Sequence, residues 1–152
     1  MCENDMKYRH ATLDDLPVLV KMNRELTEDE KHRNRLKSEE WFKERMKSFL
    51  KGEYEAVLFE FDGKAVAYAL YRNHPEHDDT IYLRQIFVDR SFRRQGLGRK
   101  AMEILMKEIW PEEKRLTVGV LTENEAAFSF YKAVGFKEYS IDLEIKSEDR
   151  NT

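Results

Sequence analysis

Apolar residues recur at changing intervals along this chain, and each change of interval marks a predicted element. Residues 6–11 form a short strand-like run, after which Thr12 and Asp15 make a variant capping box at the start of a helix. Leu16, Leu19, Val20 and Asn23 then fall on one face, which assigns that face to core packing. Residues 28–37 are charged and lack an apolar period, so they are expected to form an exposed, mobile connection. Ser38 caps a second helix in which Phe42, Met46, Phe49 and Leu50 recur at i, i+4, i+7 and i+8 before Gly52 stops it.

Beyond Gly52 the interval shortens. Residues 53–61 and 65–71 are rich in apolar, aromatic and β-branched side chains, and Asp62-Gly63 between them is a strong hairpin signal. A polar turn at residues 73–79 leads to a third strand at 80–88. Leu97, Ala101, Ile104 and Leu105 give a helical stripe to a segment that continues to about Ile109, with Pro111 just past its end. Residues 115–121 form a short apolar strand reached by that crossover helix, which favours a parallel neighbour in 81–88. Residues 124–134 form the last helix, Gly135 stops it, and residues 136–145 alternate as a final strand. The expected fold is α+β, a sandwich around a mixed, mainly antiparallel sheet of about six strands with about four helices. The free edge of its last strand makes a homodimer an expectation as well.

Composition narrows the classes. The 152 residues, 41% of them hydrophobic, suffice for a single domain, residues 1–152, with a sizeable core. A charged fraction of 38% with net charge −3 gives no basic field for nucleic acid. No apolar run approaches the ~20 residues of a membrane span, and residues 1–10 lack the apolar stretch of a signal peptide. The lone Cys2 can form no internal disulfide, which points to a reducing, cytoplasmic setting, and near a frayed chain end it is expected to be inert. No metal site is expected.

Candidate chemistry concentrates at Arg93-Arg94-Gln95-Gly96-Leu97-Gly98, between strand 81–88 and the helix that follows. Glycines without Cβ let a ligand approach the backbone, and the unpaired N–H groups and dipole of a helix start favour an anion. Arg93, Arg94, Arg99 and Lys100 add cationic donors, and guanidinium groups match phosphate oxygens in pairs. The stretch therefore reads as a pyrophosphate cradle. A Walker loop fails here, because Gly98 is followed by Arg99-Lys100-Ala101 without the hydroxyl that meets magnesium. A dinucleotide fingerprint is literally present as Gly96, Gly98 and Ala101, but residues 89–95 intervene between the strand and the first glycine. A basic helix start with two helpful glycines accounts for the six residues alone. It does not account for Asn124, Tyr131 and Gly135-Phe136, which follow the strand at 116–121 in order.

Arg93 through Gly98, then Asn124, Tyr131 and Gly135-Phe136, resemble the signature of the GNAT N-acetyltransferase superfamily, most strongly over residues 79–140. The resemblance implies that strand 81–88 splays from its parallel neighbour and that the pantetheine arm of acetyl-CoA enters the gap, pairing its amides with backbone groups of Ile86, Phe87 and Val88. It implies that Arg93, Arg94, Gln95, Gly96, Leu97, Gly98 and Arg99 hold the pyrophosphate, mostly through main-chain N–H. It adds a cofactor contact to the helix-capping role of Asn124. Tyr131 becomes the catalytic residue, giving a hydrogen bond or a proton to the departing sulfur. With a phenol near pKa 10 and a thiol near 8.5, complete transfer to a free thiolate is uphill by roughly 2 kcal/mol, so hydrogen bonding or concerted transfer is favoured.

The implied reaction is acetyl transfer from acetyl-CoA to a primary amine by direct attack in a ternary complex; the alternative is a non-catalytic acyl-CoA sensor on the same scaffold. The amine must be neutral: at pH 7 that costs about 4.6 kcal/mol for a lysine-like group and about 1.4 for an α-amino group. The sequence identifies no base. Where some relatives carry a glutamate early on the strand, this chain has Tyr82, Leu83, Arg84 and Gln85. Glu25, Glu28, Glu76, His77, Asp78 and Asp79 are the nearby titratable groups, His77 being the candidate for proton transfer. Residues 23–41 and 73–79 are expected to shape the acceptor pocket. Arg84 and Gln85 line it or lie on a sheet surface, and Trp41 and Phe42 are assigned to the core. Polyamines, aminoglycosides, protein amines and small amino compounds all stay open.

Overall fold

The computed structural model describes residues 5–151; Cys2 lies outside them. Strands β1 (Lys7–His10), β2 (Glu55–Phe61), β3 (Lys64–His74), β4 (His77–Val88) and β5 (Arg115–Val118) form a sheet in that order. The first four pair antiparallel and β5 joins β4 in parallel. Helices α1 (Leu16–Asp29) and α2 (Glu39–Lys51) precede β2; α3 (Leu97–Ile104), prolonged by a π turn, and α4 (Glu125–Val134) flank β5. The mixed, mainly antiparallel α+β sandwich read from the sequence is the fold.

Local chemistry sets these elements. Thr12 and Asp15 close their capping box ahead of α1, the Asp15 carboxylate accepting from the Thr12 N–H at 2.8 Å. Asp62 and Gly63, with φ of 54° and 78°, supply the two left-handed residues of the β2–β3 hairpin. Alternation along β2 and β3 then divides the core. Val57, Phe59, Ala67, Ala69 and Tyr71 meet Leu97, Ala101, Met102 and Leu105 on one face; Ala56, Leu58, Tyr68 and Leu70 meet α1 and α2 on the other. Each fully buried Leu or Phe contributes about 1.5–3 kcal/mol, so both layers are held firmly around the sheet.

Three expectations are corrected. Residues 136–145 form no strand: among the described residues, 137–145 make no backbone hydrogen bond, and Tyr139, Ile141, Leu143 and Ile145 are exposed, Leu143 by 92%. Alternation supplies a strand's faces but not a partner, and the paired strand on which the homodimer expectation rested is not formed. The polar turn is shorter than expected: β3 and β4 pair through it, so His77, Asp78 and Asp79 belong to β4 and the His74 and His77 rings meet at 4.8 Å. Residues 28–37 are not simply a solvated connection either, since α1 continues to Asp29 and both Glu30 and His32 are half-buried.

Candidate active site

Strands β4 and β5 are paired only where Thr80–Leu83 meets Arg115–Val118. Beyond Leu83 they part, leaving residues 84–88 without a strand neighbour on the β5 side. A bulge sits at the parting: Leu70 faces Gln85 while Tyr71 faces Leu83, so Arg84 is the extra residue. The bulge reverses the alternation of β4. Ile81 and Leu83 before it, and Ile86 and Val88 after it, pack toward α3 and α4; Arg84, Gln85 and Phe87 turn toward α1 and α2.

The loop after β4 builds the cradle. Arg94 and Gly96 adopt left-handed φ values of 65° and 72° just before α3. A Cβ on Gly96 would meet nothing within 4 Å, so the space above it is open; one on Gly98 would lie 3.4 Å from the Phe130 ring and 3.5 Å from Val88. Gly98 thus brings the start of α3 close to both α4 and β4. The backbone N–H groups of residues 95–99 donate to no described residue, so the positive end of the helix presents unpaired donors. Leu97 is buried and anchors the turn, while Gln95 is exposed and Arg99 lies 4.0 Å from Glu103. Arg93 is engaged elsewhere, reaching Asp29 at 2.6 Å and the Val88 carbonyl at 3.2 Å across the Phe87 ring.

Asp29 also accepts from Arg90 at 2.8 Å, Glu28 accepts from Arg90 at 2.9 Å, and Lys21 bridges Glu25 and Asp89. These contacts tie α1 to the loop and occupy Glu25 and Glu28, two of the expected bases. Burial alone would raise the Asp29 carboxyl, but hydrogen bonds from Arg90 and Arg93 outweigh it and hold the group below the usual carboxylate range.

Tyr131, on α4, stands edge-on to Phe130 and Phe136 with 8% of its surface exposed. Burial, then repulsion from Glu30, pushes its phenol well above the ordinary value, so it remains a protonated donor. Asn124 caps α4, its Oδ1 accepting from the Ala127 N–H at 3.1 Å, and its side chain also hydrogen-bonds the Glu30 carboxylate. Burial raises the Glu30 carboxyl against the pull of Asn124 and Arg45. Glu30 therefore joins the α1 side of the sheet to the α4 side. Sequence reasoning missed it, although Asn23 and Thr27 are both buried and Glu30 continues their i, i+4, i+7 stripe.

On the α1/α2 side, Asn23 Nδ2 donates to Tyr68 Oη at 3.1 Å and to Gln85 Oε1 at 3.0 Å, and Tyr68 donates to the same Gln85 oxygen at 2.8 Å. The Arg45 guanidinium lies 5.2 Å from the Trp41 ring and 5.3 Å from Phe49; that of Arg84 lies 5.1 Å from Phe49 and donates to Tyr54 Oη at 3.3 Å. Trp41 is thus a wall beneath an arginine, while Phe42 is core as expected. His32 accepts the Asn34 N–H on Nδ1 at 3.0 Å, and burial, then the charges of Arg45, Arg33 and Arg84, keep it neutral. His77 is removed from this site, roughly 30 Å along β4 from Ile86 at ~3.4 Å per residue. Among the described residues, no group of His, Cys, Asp and Glu is arranged to hold a metal ion, and no helix is long and apolar enough to cross a membrane.

Known proteins share parts of this arrangement. The chain is 26% identical over 102 residues to the probable spermine N(1)-acetyltransferase of Bacillus subtilis subsp. natto, covering 62% of this chain and 66% of that protein, just under two thirds of its length. It is 40% identical over 67 residues to the ribosomal protein bS18-alanine N-acetyltransferase of Escherichia coli K12, covering 41% and 43%. The aminoglycoside N-acetyltransferase AAC(6')-Iy, solved in complex with CoA, shares the fold with a TM-score of 0.72 at 16% identity, over 95% of each chain. The family description "Acetyltransferase (GNAT) family" matches residues 19–136, from the middle of α1 through the bulge, the cradle, Asn124 and Tyr131 to Phe136, and the chain belongs to that family.

Proposed function

We propose that the protein is an N-acetyltransferase that draws its acyl group from acetyl-CoA and passes it to a primary amine bound on the α1/α2 side of the β4–β5 split. The observation that supports this most is the opening itself, a bulged strand parting from its neighbour beside an open Gly96 and a helix start with unpaired N–H groups. A pantetheine arm fits the split by pairing with backbone groups of residues 86–88, although the Val88 carbonyl already accepts from Arg93. A pyrophosphate fits the N–H groups of residues 95–99.

Acetyl-CoA supplies a thioester carbonyl open to attack by a neutral amine, with a thiol as leaving group. Glu30 is the base: its carboxylate, held beside Asn124, takes the proton that the acceptor's ammonium must lose. Tyr131 keeps its proton in an aromatic pocket and offers it as a hydrogen bond where thiolate charge develops. Its raised pKa makes prior transfer less favourable still. The names of the curated relatives, one a spermine and one an alanine N-acetyltransferase, support an amine acceptor. Work in the cytoplasm accords with this reading.

Calorimetric titration with acetyl-CoA, with Gly96→Glu as control, tests the cofactor; thiol release on adding amines tests the reaction. Saturable binding lost in the control, followed by amine-dependent release, is expected. Binding without release for any amine would favour the sensor alternative, and no binding by folded protein would overturn the assignment.

A further inference from the structure

Two guanidinium groups stand unmatched beside the Glu30 carboxylate. Elsewhere arginines that cross between elements meet carboxylates: Arg72 meets Glu53, Arg90 meets Glu28 and Asp29, Arg93 meets Asp29. Arg45, from α2, and Arg84, from the β4 bulge, close on one another without such a partner, and the Nε–H of each is buried with no acceptor. Both are held in place. Phe42 and Met46, fully buried, fix the face of α2 that bears Arg45; the bulge sends Arg84 to the same side as Gln85; and the rings of Trp41, Phe49 and Tyr54 lie under the guanidinium planes.

Such a pair is costly without an anion. Burial and the Arg84 charge both disfavour the charged form of Arg45, and an unsatisfied buried donor costs about 1–3 kcal/mol. A carboxylate accepts parallel N–H bonds from guanidinium groups and neutralises both centres. Glu30 attracts Arg45 but forms no ion pair with it, so a carboxylate remains for an ammonium. The site is thus positive and negative in adjacent halves, which complements a zwitterion. A polyamine would bring a second ammonium toward two arginines, a like-charge contact that works against it.

We propose that the acceptor amine carries a carboxylate, with Arg45 and Arg84 holding the carboxylate and Glu30 meeting the amine, so that the substrate class is a small amino acid. This rests on the acetyltransferase reading. The test measures kcat/KM by thiol release for glycine, β-alanine, γ-aminobutyrate, alanine and lysine, each beside its carboxamide, with spermidine and phosphoethanolamine alongside. Acetyl-CoA is titrated into the same preparations. At least one acid should exceed its amide by about tenfold or more. Arg84→Gln and Arg45→Gln should each narrow that gap by raising KM for the acid while the affinity for acetyl-CoA is unchanged, and Arg84→Lys should restore part of it. Amides, spermidine or phosphoethanolamine matching every acid would overturn the proposal, as would rejection of all acids by protein that binds acetyl-CoA. Failure to bind acetyl-CoA would instead sink the acetyltransferase reading, and this one with it.

Discussion

The two sides of the β4–β5 split are built by opposite means. The cradle side is main chain: seven consecutive positions, 93–99, two left-handed residues and a row of unpaired N–H groups, with the Arg93 side chain turned away. The acceptor side is side chain: Glu30 after α1, Arg45 on α2, Arg84 and Gln85 on β4, converging from distant parts of the sequence. A main-chain site depends on φ angles and space, so most changes of side chain leave it intact. A side-chain site depends on long-range packing, so acceptor preference can be retuned without touching the cradle.

The largest effect should follow from closing the cradle. Gly96→Glu places a side chain in open space at a left-handed position and should weaken acetyl-CoA binding at least about a hundredfold, about 2.7 kcal/mol. Arg93→Ala should cost less than about tenfold. A larger loss for Arg93→Ala than for Gly96→Glu in calorimetry would break the comparison.

That contrast also explains what was legible beforehand. The cradle, the Asp62-Gly63 hairpin and the Asn124 cap are local, each specified by residues adjacent in sequence, and all three are where the pattern put them. The Arg84 bulge is a register shift against Leu70 and Tyr71, which no stretch of β4 alone encodes. Glu30 read as solvent-facing because charge normally does, although it continues a buried stripe. Residues 136–145 show the limit of alternation, which gives a strand two faces but does not say what its backbone pairs with.

On the reacting groups, smaller effects should separate chemistry from binding. Tyr131→Phe should lower kcat by about a hundredfold with acetyl-CoA affinity intact. Glu30→Gln should lower it by some tens-fold at neutral pH, and the wild-type rate should fall as acid protonates the Glu30 carboxylate. Because burial raises that carboxyl above 4.5 in the folded protein, its contribution to stability is greatest below this value and is lost as pH rises through the raised pKa. At pH 7, Glu30→Gln should therefore be slightly more stable than wild type, by less than about 1 kcal/mol, while being less active. A Glu30→Gln protein with full turnover would remove the acceptor side's only carboxylate role and sharpen the case for solvent as base.

Asp29→Asn should have the smallest effect and probes the boundary between the two halves. Its carboxyl is held below 3.8 by Arg90 and Arg93, so the stability it contributes is present above 3.8 and is lost as pH falls through the lowered value. The side chain is 31% exposed, so screening limits that contribution to about 0.5–1 kcal/mol near neutral pH, and the variant's acid unfolding should begin from a lower plateau. Its effect on the cofactor runs the other way. Removing a negative charge beside the cradle and releasing Arg93 should tighten acetyl-CoA binding by about two- to threefold at low ionic strength, and added salt should erase the gain. A several-fold loss of affinity instead would mean that the left-handed backbone of the loop depends on its ties to Asp29. The cradle would then be a side-chain site as well, and the division between the two halves would fail.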